Sequence, residues 1–301
     1  ASDRDLVTEW QKRLPELLQS DNQTLVAALR EIMEPAMNLF TNHLEITGQA
    51  GGAVQLLSTI CEERLDDRSL ALTLLGSLGD VDSAAPSFAL WELGRKVAHD
   101  AKLTDLFNQG IPDLEERLRN SYHASDFVEE FDTFLSEFGS RGPNEWETAC
   151  DTWGTNPGSV LILIDRMREA DPTKSPQLRT EILAKKRDQA LSLARTELKG
   201  LGLRLFNKTF NAATLFSKAR ERSKTTIIDL IHVARLLSRE LAHRTAERRE
   251  NSELIDLWFV LETELDDFIE TPSSFDEKIS DRKHVREELS KRTPPFIFEE
   301  N

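Results

Sequence analysis

Helical periodicity that continues without a break through residues 203–248 is the feature that most constrains how this chain can fold. It predicts one very long helix, in which Asn211 is the place where a kink or break is expected. Signals for β-strands are nearly absent, because tyrosine occurs once and β-branched residues rarely cluster. The sequence therefore predicts an all-α fold: an irregular multi-helix domain of about twelve helices with one very long helix and no significant sheet.

Turn-forming residues divide the rest of the chain into shorter helices. The apolar run SVLILI (159–164) follows Asn156 and Pro157, which favour the start of a buried helix over a strand. Breaks are predicted where Gly, Pro, Asp and Ser cluster, at 48–52, 79–86, 139–144, 171–176 and 293–296. The predicted helices lie near 3–19, 22–46, 53–65, 68–78, 86–105, 111–120, 124–138, 157–169, 176–200, 203–248, 252–269 and 275–292.

Composition and charge argue against several classes of protein. Hydrophobic residues make up 39% and charged residues 30% of the 301 positions, which is typical of a soluble globular chain. The formal net charge of −15 argues against nucleic-acid binding and against attraction to an anionic membrane. Residues 179–249 nevertheless hold 17 Lys/Arg and 7 Asp/Glu, so a basic stretch lies in an otherwise acidic chain. This stretch is either a long solvated helix face or a local site for an anionic group.

Cysteine usage and the amino end bear on localisation. Cys61 and Cys150 lie far apart and show no metal-like spacing, which favours a reducing cytoplasm over a disulfide scaffold. The amino end lacks the basic and apolar regions of a signal peptide, and no apolar run approaches the roughly 18 residues of a membrane span. We therefore expect a cytoplasmic protein with neither nucleic acid nor membrane as a partner.

The stretch EFGSRGPNEWE (137–147) places a charged turn in the middle of a helical chain. Arg141 lies between Gly139 and Gly142, which permit tight backbone conformations. Its planar guanidinium suits a carboxylate or a phosphate. Two interpretations stay open: either Arg141 pairs with Glu145 or Glu147 and joins two helices, or it belongs to a binding site.

The segment 219–244 combines cations with apolar residues on one helical stripe. Lys224 lies about 40° round the helix from Arg220, and Arg235 about 60°. The intervening Ile228 and Ile231 are apolar, so the stripe would suit the wall of a pocket that receives an apolar molecule beside a phosphoryl group. The alternative is that the long basic side chains cover apolar surface and pair with acidic helices.

Two weaker candidates complete the set. The turn GSLGDVDSAAP (76–86) precedes a predicted helix, so Asp82 and Ser83 would cap that helix or line a site at its amino terminus. His43, in the apolar context MNLFTNHLEI, is the best candidate among the six histidines for a base that lines a pocket. No zinc spacing, Walker loop, dinucleotide fingerprint or nucleophile elbow is present in the sequence.

In order along the chain, several of these stretches resemble the phosphoenolpyruvate-utilising phosphotransferases, which include phosphoenolpyruvate synthase-like proteins, rifampin phosphotransferase and phenol-phosphorylating synthases. The first is FLSEFGSRGPNEWE…DTWGTNP (134–157), which is followed by an Arg-Glu-x-x-Lys motif at 220–224 and by DLWFVLETEL (256–265). Arg282 and the pair Pro294–Pro295 continue the resemblance. The matching positions of the first stretch are Phe138, Gly139, Ser140, Arg141, Gly142, Pro143, Glu145, Glu147, Trp153 and Pro157.

The resemblance implies that this chain is the acceptor-binding part of a larger enzyme. In such enzymes an ATP-grasp domain phosphorylates a histidine on a swivelling domain, and a third part holds the acceptor. ATP and Mg²⁺ are then cofactors of the complete enzyme and not of this chain, which would be inactive alone. The acceptor would be a hydroxylated, largely apolar molecule such as a phenol or an aromatic antibiotic. The expected catalytic residues are Arg220, Lys224 and Arg141, and the expected substrate-binding residues are His43, Asp82, Ser83, Ser140, Glu145, Ile228, Ile231 and Arg235.

The resemblance also sets the expected domain organisation. Residues 1–292 would form a single all-helical acceptor-binding domain, and a subdivision of this domain near 140–175 stays open. Residues 293–301 would form a Pro-containing tail that leads towards the swivelling domain. One departure is Ser140, where several relatives carry histidine, so the residue that activates the acceptor hydroxyl is not carried over. The alternative function is a non-catalytic helical interaction or regulatory protein related to this family.

Overall fold

The computed structural model describes residues 2–78, 85–250 and 252–293, and every regular element in them is helical. The all-α prediction is therefore confirmed. The α-helices are α1 (Asp3–Leu17), α2 (Asn22–Leu65), α3 (Leu70–Leu74), α4 (Ala85–His99), α5 (Ala101–Asn108), α6 (Leu114–Arg119), α7 (Ser125–Phe138), α8 (Pro157–Glu169), α9 (Pro176–Glu197), α10 (Gly200–Ala246), α11 (Leu265–Glu270) and α12 (Asp276–Ser290). Short 3-10 helices lie at Tyr122–Ala124, Pro172–Lys174, Leu254–Phe259, Glu262–Glu264 and Pro272–Phe275.

Two helices are very long, whereas the sequence predicts one. The helix α10 has 47 residues and continues through Asn211, so the expected break there is wrong. The helix α2 has 44 residues and continues through the glycines of 48–52, where a break was also expected. Each helical glycine costs about 1 kcal/mol relative to alanine. Burial of Ala50 and Leu57 on the same helix offsets that cost, since neither side chain is more than 3% exposed.

Other predicted bounds differ because local capping was missed. The predicted helix 86–105 is two helices, because the side chain of Asp100 accepts hydrogen bonds from the backbone N–H groups of Lys102 and Leu103 and starts α5. The predicted helix 252–269 is replaced by two 3-10 helices, Leu254–Phe259 and Glu262–Glu264, and the start of α11. The apolar run after Pro157 does begin a buried helix, α8, as predicted.

The chain divides into two compact units, which we call the terminal unit and the central unit. The terminal unit comprises Ala1–Pro35, Glu147–Ala149 and Leu230–Asn301, and the central unit comprises Ala36–Trp146 and Cys150–Asp229. The prediction of a single acceptor-binding domain over 1–292 stays a prediction, and its tail lies almost wholly outside the described residues.

Within its described residues, the central unit shows two apolar cores. The first is formed by α4 to α8 and includes Phe107, Phe127 and Phe131, each at most 2% exposed. The second joins the carboxyl-terminal part of α2 to α3, α9 and the first half of α10, around Leu57 and Phe206. Burying a side chain of this size stabilises a fold by roughly 1.5–3 kcal/mol. These cores fix the positions of α2, α7 and α10, which carry the candidate site.

In the terminal unit, arginine side chains attach separate segments to the end of α10. The guanidinium of Arg244 donates to the carbonyls of Leu18 and Ser20 and so attaches the turn between α1 and α2 to the end of α10. Arg249 lies 2.9 Å from Asp256 and 2.6 Å from Asp276, which ties the same end of α10 to the segment 254–276. The side chains of Arg249 and Asp256 are each 5% exposed, so this pair is shielded from solvent.

Candidate functional site

Backbone pairing holds the turn that carries Arg141. The helix α7 ends at Phe138, and the N–H of Gly139 still donates to the carbonyl of Leu135 at 2.8 Å. The turn then pairs with a later segment, because the N–H of Trp153 donates to the carbonyl of Arg141 and the N–H of Gly154 to that of Gly139, both at 2.8 Å. Arg141 is therefore placed by main-chain bonds on both sides and not by its side chain alone.

The glycines of this turn are required by space. A Cβ on Gly139 would lie 2.3 Å from the carbonyl oxygen of Leu135 and 3.1 Å from the Cα of Gly154. In the segment that pairs with this turn, a Cβ on Gly154 would lie 3.1 Å from the carbonyl oxygen of Gly139. The contact at Gly139 excludes a side chain, and the contact at Gly154 is tight, so the two glycines together allow this close approach of the backbone.

Glu145 joins the turn to α10. One carboxylate oxygen lies 3.0 Å from Nε of Arg141, and the other lies 2.8 Å from Nζ of Lys224. The Glu145 side chain is 9% exposed, that of Arg141 14% and that of Lys224 32%. The two cations share one anion, so these three side chains carry a net charge of +1. We call Arg141, Glu145 and Lys224 the ionic triad.

Further hydrogen bonds attach the turn to the same helix face. The buried Ser140 hydroxyl donates to Asp229 Oδ1 at 2.7 Å. Nη1 of Arg141 donates to Thr225 Oγ1 at 3.4 Å. Thr225 and Asp229 are one helical turn apart, so they present their side chains on one face of α10. The sequence predicts Ser140, Arg141, Glu145 and Lys224 as site residues, and the structure brings these four together.

His43 lies beside the same helix, and its hydrogen bond indicates its tautomer. Its Nδ1 lies 2.9 Å from the hydroxyl of Ser223, which itself donates to the carbonyl of Arg220 at 3.0 Å. A hydroxyl has one proton, so when Ser223 donates to the carbonyl of Arg220 it accepts from Nδ1–H of His43, and in that tautomer Nε2 carries the lone pair. Burial, aided by the positive charges of Arg220 and Lys224, lowers the pKa of His43 below its usual 6.5. His43 is therefore neutral at pH 7, with Nε2 as its basic atom.

Two aromatic side chains accompany His43. The ring of Trp146 has its centroid 6.0 Å from that of Phe40 and 5.8 Å from that of His43. Trp146 is 40% exposed and Phe40 36%, which is unusual for rings of this size. We call Phe40, His43 and Trp146 the aromatic surface. The structure adds Phe40, Trp146, Ser223 and Asp229 to the residues that the sequence predicts.

The remaining predicted cations have different surroundings. Arg220 is 50% exposed, and its nearest carboxylate is that of the adjacent Glu221, at 2.5 Å. Arg235 belongs to the terminal unit and is fully buried, where Nη2 donates to the carbonyl of Glu147 at 3.0 Å. The expectation that Arg220, Lys224 and Arg235 form one stripe open to a ligand is therefore wrong for Arg235, because its guanidinium is shielded from solvent.

His232 is a second titratable side chain in the surroundings of Arg235, and its pKa is lowered. Nδ1 of His232 lies 3.3 Å from Nη1 of Arg235. Burial, together with this neighbouring positive charge, lowers the pKa of His232 to about 4. His232 is therefore neutral at pH 7, and it belongs to the packing of the terminal unit.

Five further residues that the sequence singles out do not join the ionic triad. Ile228 is fully buried, so its side chain packs in the interior and is not exposed to a ligand. Ile231 is half-buried and belongs to the terminal unit. Glu147 accepts the N–H of Ala149 at 3.1 Å and is not the partner that the turn uses. Asp82 and Ser83 lie outside the described residues.

Metal and membrane chemistry find no support among the described residues. In residues 2–78, 85–250 and 252–293, no cluster of three His, Cys, Asp or Glu side chains could hold a metal ion. None of the described helices is both long enough and apolar enough to span a bilayer.

The sequence contains only weak signals for the four site residues that it did not predict, Phe40, Trp146, Ser223 and Asp229. Trp146 lies inside the stretch EFGSRGPNEWE, and Phe40 precedes His43 by three positions on one helix face. Ser223 and Asp229 flank Lys224 and resemble the ordinary polar residues of a long helix. Ser223 lies 180 residues from its partner His43, and Asp229 lies 89 residues from its partner Ser140, so only the tertiary structure could identify these contacts.

Comparison with known families adds one finding. A family model described as the rifampicin phosphotransferase fourth domain matches residues 42–222, which is more than half of the chain. The match includes His43, the turn and Glu145, and it ends two residues before Lys224. A comparison with curated proteins finds no match to this chain.

Because Glu145 contacts both Arg141 and Lys224, we expect its carboxylate to contribute to the free energy of unfolding. Replacing Glu145 by Gln leaves Arg141 and Lys224 without their anion, and we expect the free energy of unfolding to fall by roughly 2 kcal/mol. This is below the value for a fully buried pair, because the Lys224 side chain is 32% exposed. Chemical denaturation measures the change. The control is Glu137→Gln, an exposed position on α7, which should change stability by less than about 0.5 kcal/mol. Equal effects of the two substitutions would show that the ionic triad does not stabilise the unit.

Proposed function

The chain belongs to the family of the rifampicin phosphotransferase fourth domain, and from this premise we propose that it binds the acceptor of an ATP-dependent phosphotransferase. The acceptor is a largely apolar small molecule with a hydroxyl group, such as a phenol or an aromatic antibiotic. The observation that supports this best is the neighbourhood of two fixed cations and an exposed aromatic surface within one unit. Under this proposal ATP, Mg²⁺ and the phosphorylated histidine belong to other parts of the complete enzyme.

The cations would act on the phosphoryl group. Phosphoryl transfer builds negative charge on the equatorial oxygens, and prearranged positive groups stabilise it. Glu145 holds Arg141 and Lys224 in place before any ligand arrives. Lys224 uses one of its three N–H bonds for Glu145, so two remain for phosphoryl oxygens. The half-exposed Arg220 is a further cation on the same helix, and it supports approach of the anionic donor.

The aromatic surface would hold the body of the acceptor. Phe40 and Trp146 meet edge to face at an interplanar angle of 78°, and the two residues are 36% and 40% exposed. A flat apolar acceptor that packs on these rings buries their area together with its own. His43 belongs to the same surface and would then lie against the acceptor hydroxyl.

His43 would take the proton of that hydroxyl. Its Nε2 carries the free lone pair, and its lowered pKa keeps the ring neutral at pH 7. In the proposed step the acceptor oxygen forms a bond to phosphorus, the bond from phosphorus to the donor histidine breaks, and the hydroxyl proton goes to Nε2. Ser140 would be a positioning residue that attaches the turn to Asp229, so the histidine that several relatives carry there is not needed as a base.

The alternative is a non-catalytic helical protein of the same family that binds other proteins. The net charge of −15 would suit docking through an acidic surface. Binding of a small apolar molecule separates the two functions, because such a ligand stabilises an acceptor-binding protein, whereas a scaffold for other proteins should not respond to it.

A first prediction concerns acceptor binding. In a screen of phenols and rifamycins, at least one compound should raise the melting temperature of the 301-residue chain, because a ligand that binds the folded state stabilises it. Trp146→Ala should abolish most of this shift. Tyr122→Ala is the control, since Tyr122 is 89% exposed in the same unit but lies outside the aromatic surface. If no compound shifts the melting temperature, the docking alternative is favoured.

A second prediction concerns Lys224. In the chain assembled with its ATP-binding and phosphohistidine parts, Lys224→Ala should reduce the turnover number about 10²- to 10³-fold, because a prearranged positive charge is lost. Lys208→Ala, at an exposed position of the same helix, serves as control and should leave turnover unchanged. Near-normal turnover of Lys224→Ala would contradict the electrostatic role.

A third prediction concerns pH. A base with a lowered pKa is neutral above that pKa and protonated below it, so the rate of transfer should fall on the acid side, with a midpoint below 6.5. His43→Gln should remove this acid limb and reduce the rate at pH 7.5 by about 10²-fold or more. The exposed His284→Gln is the matched control. An unchanged acid limb in His43→Gln would assign the proton transfer to another group.

A further inference from the structure

The terminal unit contains a cleft that the proposed acceptor site does not use. Its volume is about 620 Å³, which lies within the roughly 300–1,000 Å³ of small-molecule sites. Apolar side chains from the first half of α2, from α10 and from the segment 257–265 line most of it, among them Met33, Ala234 and Leu257. Except for Thr148, every lining residue lies outside the range 42–222 that the family model matches.

One wall of the cleft is fixed before a ligand binds. The indole N–H of Trp258 donates to Thr148 Oγ1 at 2.9 Å, so the polar edge of this ring is already satisfied. The half-buried ring therefore has its apolar area available to the cleft. A preformed aromatic wall lowers the entropic cost of binding a flat molecule. The hydroxyl of Ser238, on α10, adds a polar group to the lining.

Three charged side chains, Arg30, Glu262 and Asp266, form what we call the acidic rim; Arg30 and Glu262 line the cleft, and Asp266 pairs with Arg30 beside it. Nε of Arg30 lies 2.7 Å from a carboxylate oxygen of Glu262, and its Nη2 lies 2.9 Å from Asp266. One cation between two carboxylates leaves a net charge of −1, and Arg30 and Glu262 both line the cleft. The Glu262 and Asp266 side chains are 62% and 64% exposed, so this charge attracts a ligand in solution but is screened by salt.

We propose that this cleft binds a small molecule with a flat apolar body and a single positively charged amine. The apolar lining and the Trp258 ring receive the body, and an aromatic face also attracts a cation. The acidic rim and the Ser238 hydroxyl receive the amine, whereas the same rim repels an anion. This selectivity is opposite to that of the ionic triad in the central unit, whose net charge is +1.

Three naphthalene probes of similar size test the charge preference on the full chain. They are 1-naphthylmethylamine, which is positively charged at pH 7, the neutral 1-naphthalenemethanol, and the negatively charged 1-naphthoic acid. Calorimetric titration should give a dissociation constant about tenfold lower for the amine than for the acid, as expected for a few exposed charge contacts. A ratio of one, a reversed order, or no binding of the amine up to about 1 mM would overturn the proposal.

Variants locate the binding. Ala234→Phe fills the cleft and should weaken amine binding at least about tenfold, and Glu262→Gln should reduce the preference for the amine over the acid about threefold. Glu277→Gln, at an exposed position of α12, is the control for the second variant. If Ala234→Phe fails to fold, Met33→Ala replaces it, with Met37→Ala on the same helix as control, because the two side chains are 53% and 54% exposed. Unchanged amine binding in the cleft variants would overturn the assignment.

Discussion

The close approach of Gly139 and Gly154 is the constraint on which the candidate site depends. Two backbone hydrogen bonds of 2.8 Å join the turn after α7 to the segment before α8. A Cβ at Gly139 would lie only 2.3 Å from a carbonyl oxygen, and one at Gly154 would make a tight contact of 3.1 Å. The ring of Trp153, next to Gly154, has its centroid 5.5 Å from that of Phe134 and ties this pairing to the first apolar core. Because the main chain is held in this way, the positions of Ser140, Arg141 and Glu145 follow from the fold and do not depend on a ligand.

Electrostatics at the turn follow from the same geometry. Arg141 and Lys224 lie close enough to repel each other, and the poorly exposed carboxylate of Glu145 keeps both in place. A single anion between two cations stabilises the arrangement, and the three side chains together carry a net charge of +1. Such a group can serve structure and ligand binding at once, so the two interpretations of Arg141 that the sequence leaves open do not exclude each other. The aromatic surface, which lies beside the same stretch of α10, gives the site its apolar part.

Sequence patterns predicted the helical class and the turn correctly, but they failed where local and tertiary preferences disagree. The glycines at 48–52 predicted a break, yet α2 continues, because side chains on either side of them are buried in the core. Asp100 divides a predicted helix by capping a new one, a signal that apolar periodicity does not contain. Arg235 seemed to belong with Arg220 and Lys224 on one stripe, but it is fully buried and donates to the carbonyl of Glu147. Periodicity specifies the direction of a side chain around its helix, not what covers it.

By itself, the sequence determined the fold class, the charged turn, the pairing of Arg141 with a nearby glutamate as one of two alternatives, and the family. These properties depend on residue spacing within short segments, which helical geometry and backbone sterics convert directly into local structure. Only the tertiary structure decided that Glu145 also binds Lys224, that Ser223 orients His43, that Trp146 stays exposed beside Phe40, and that a cleft with an acidic rim exists in the terminal unit. Each of these contacts joins residues that are distant along the chain. The packing of whole helices sets their distances, and no local pattern records it.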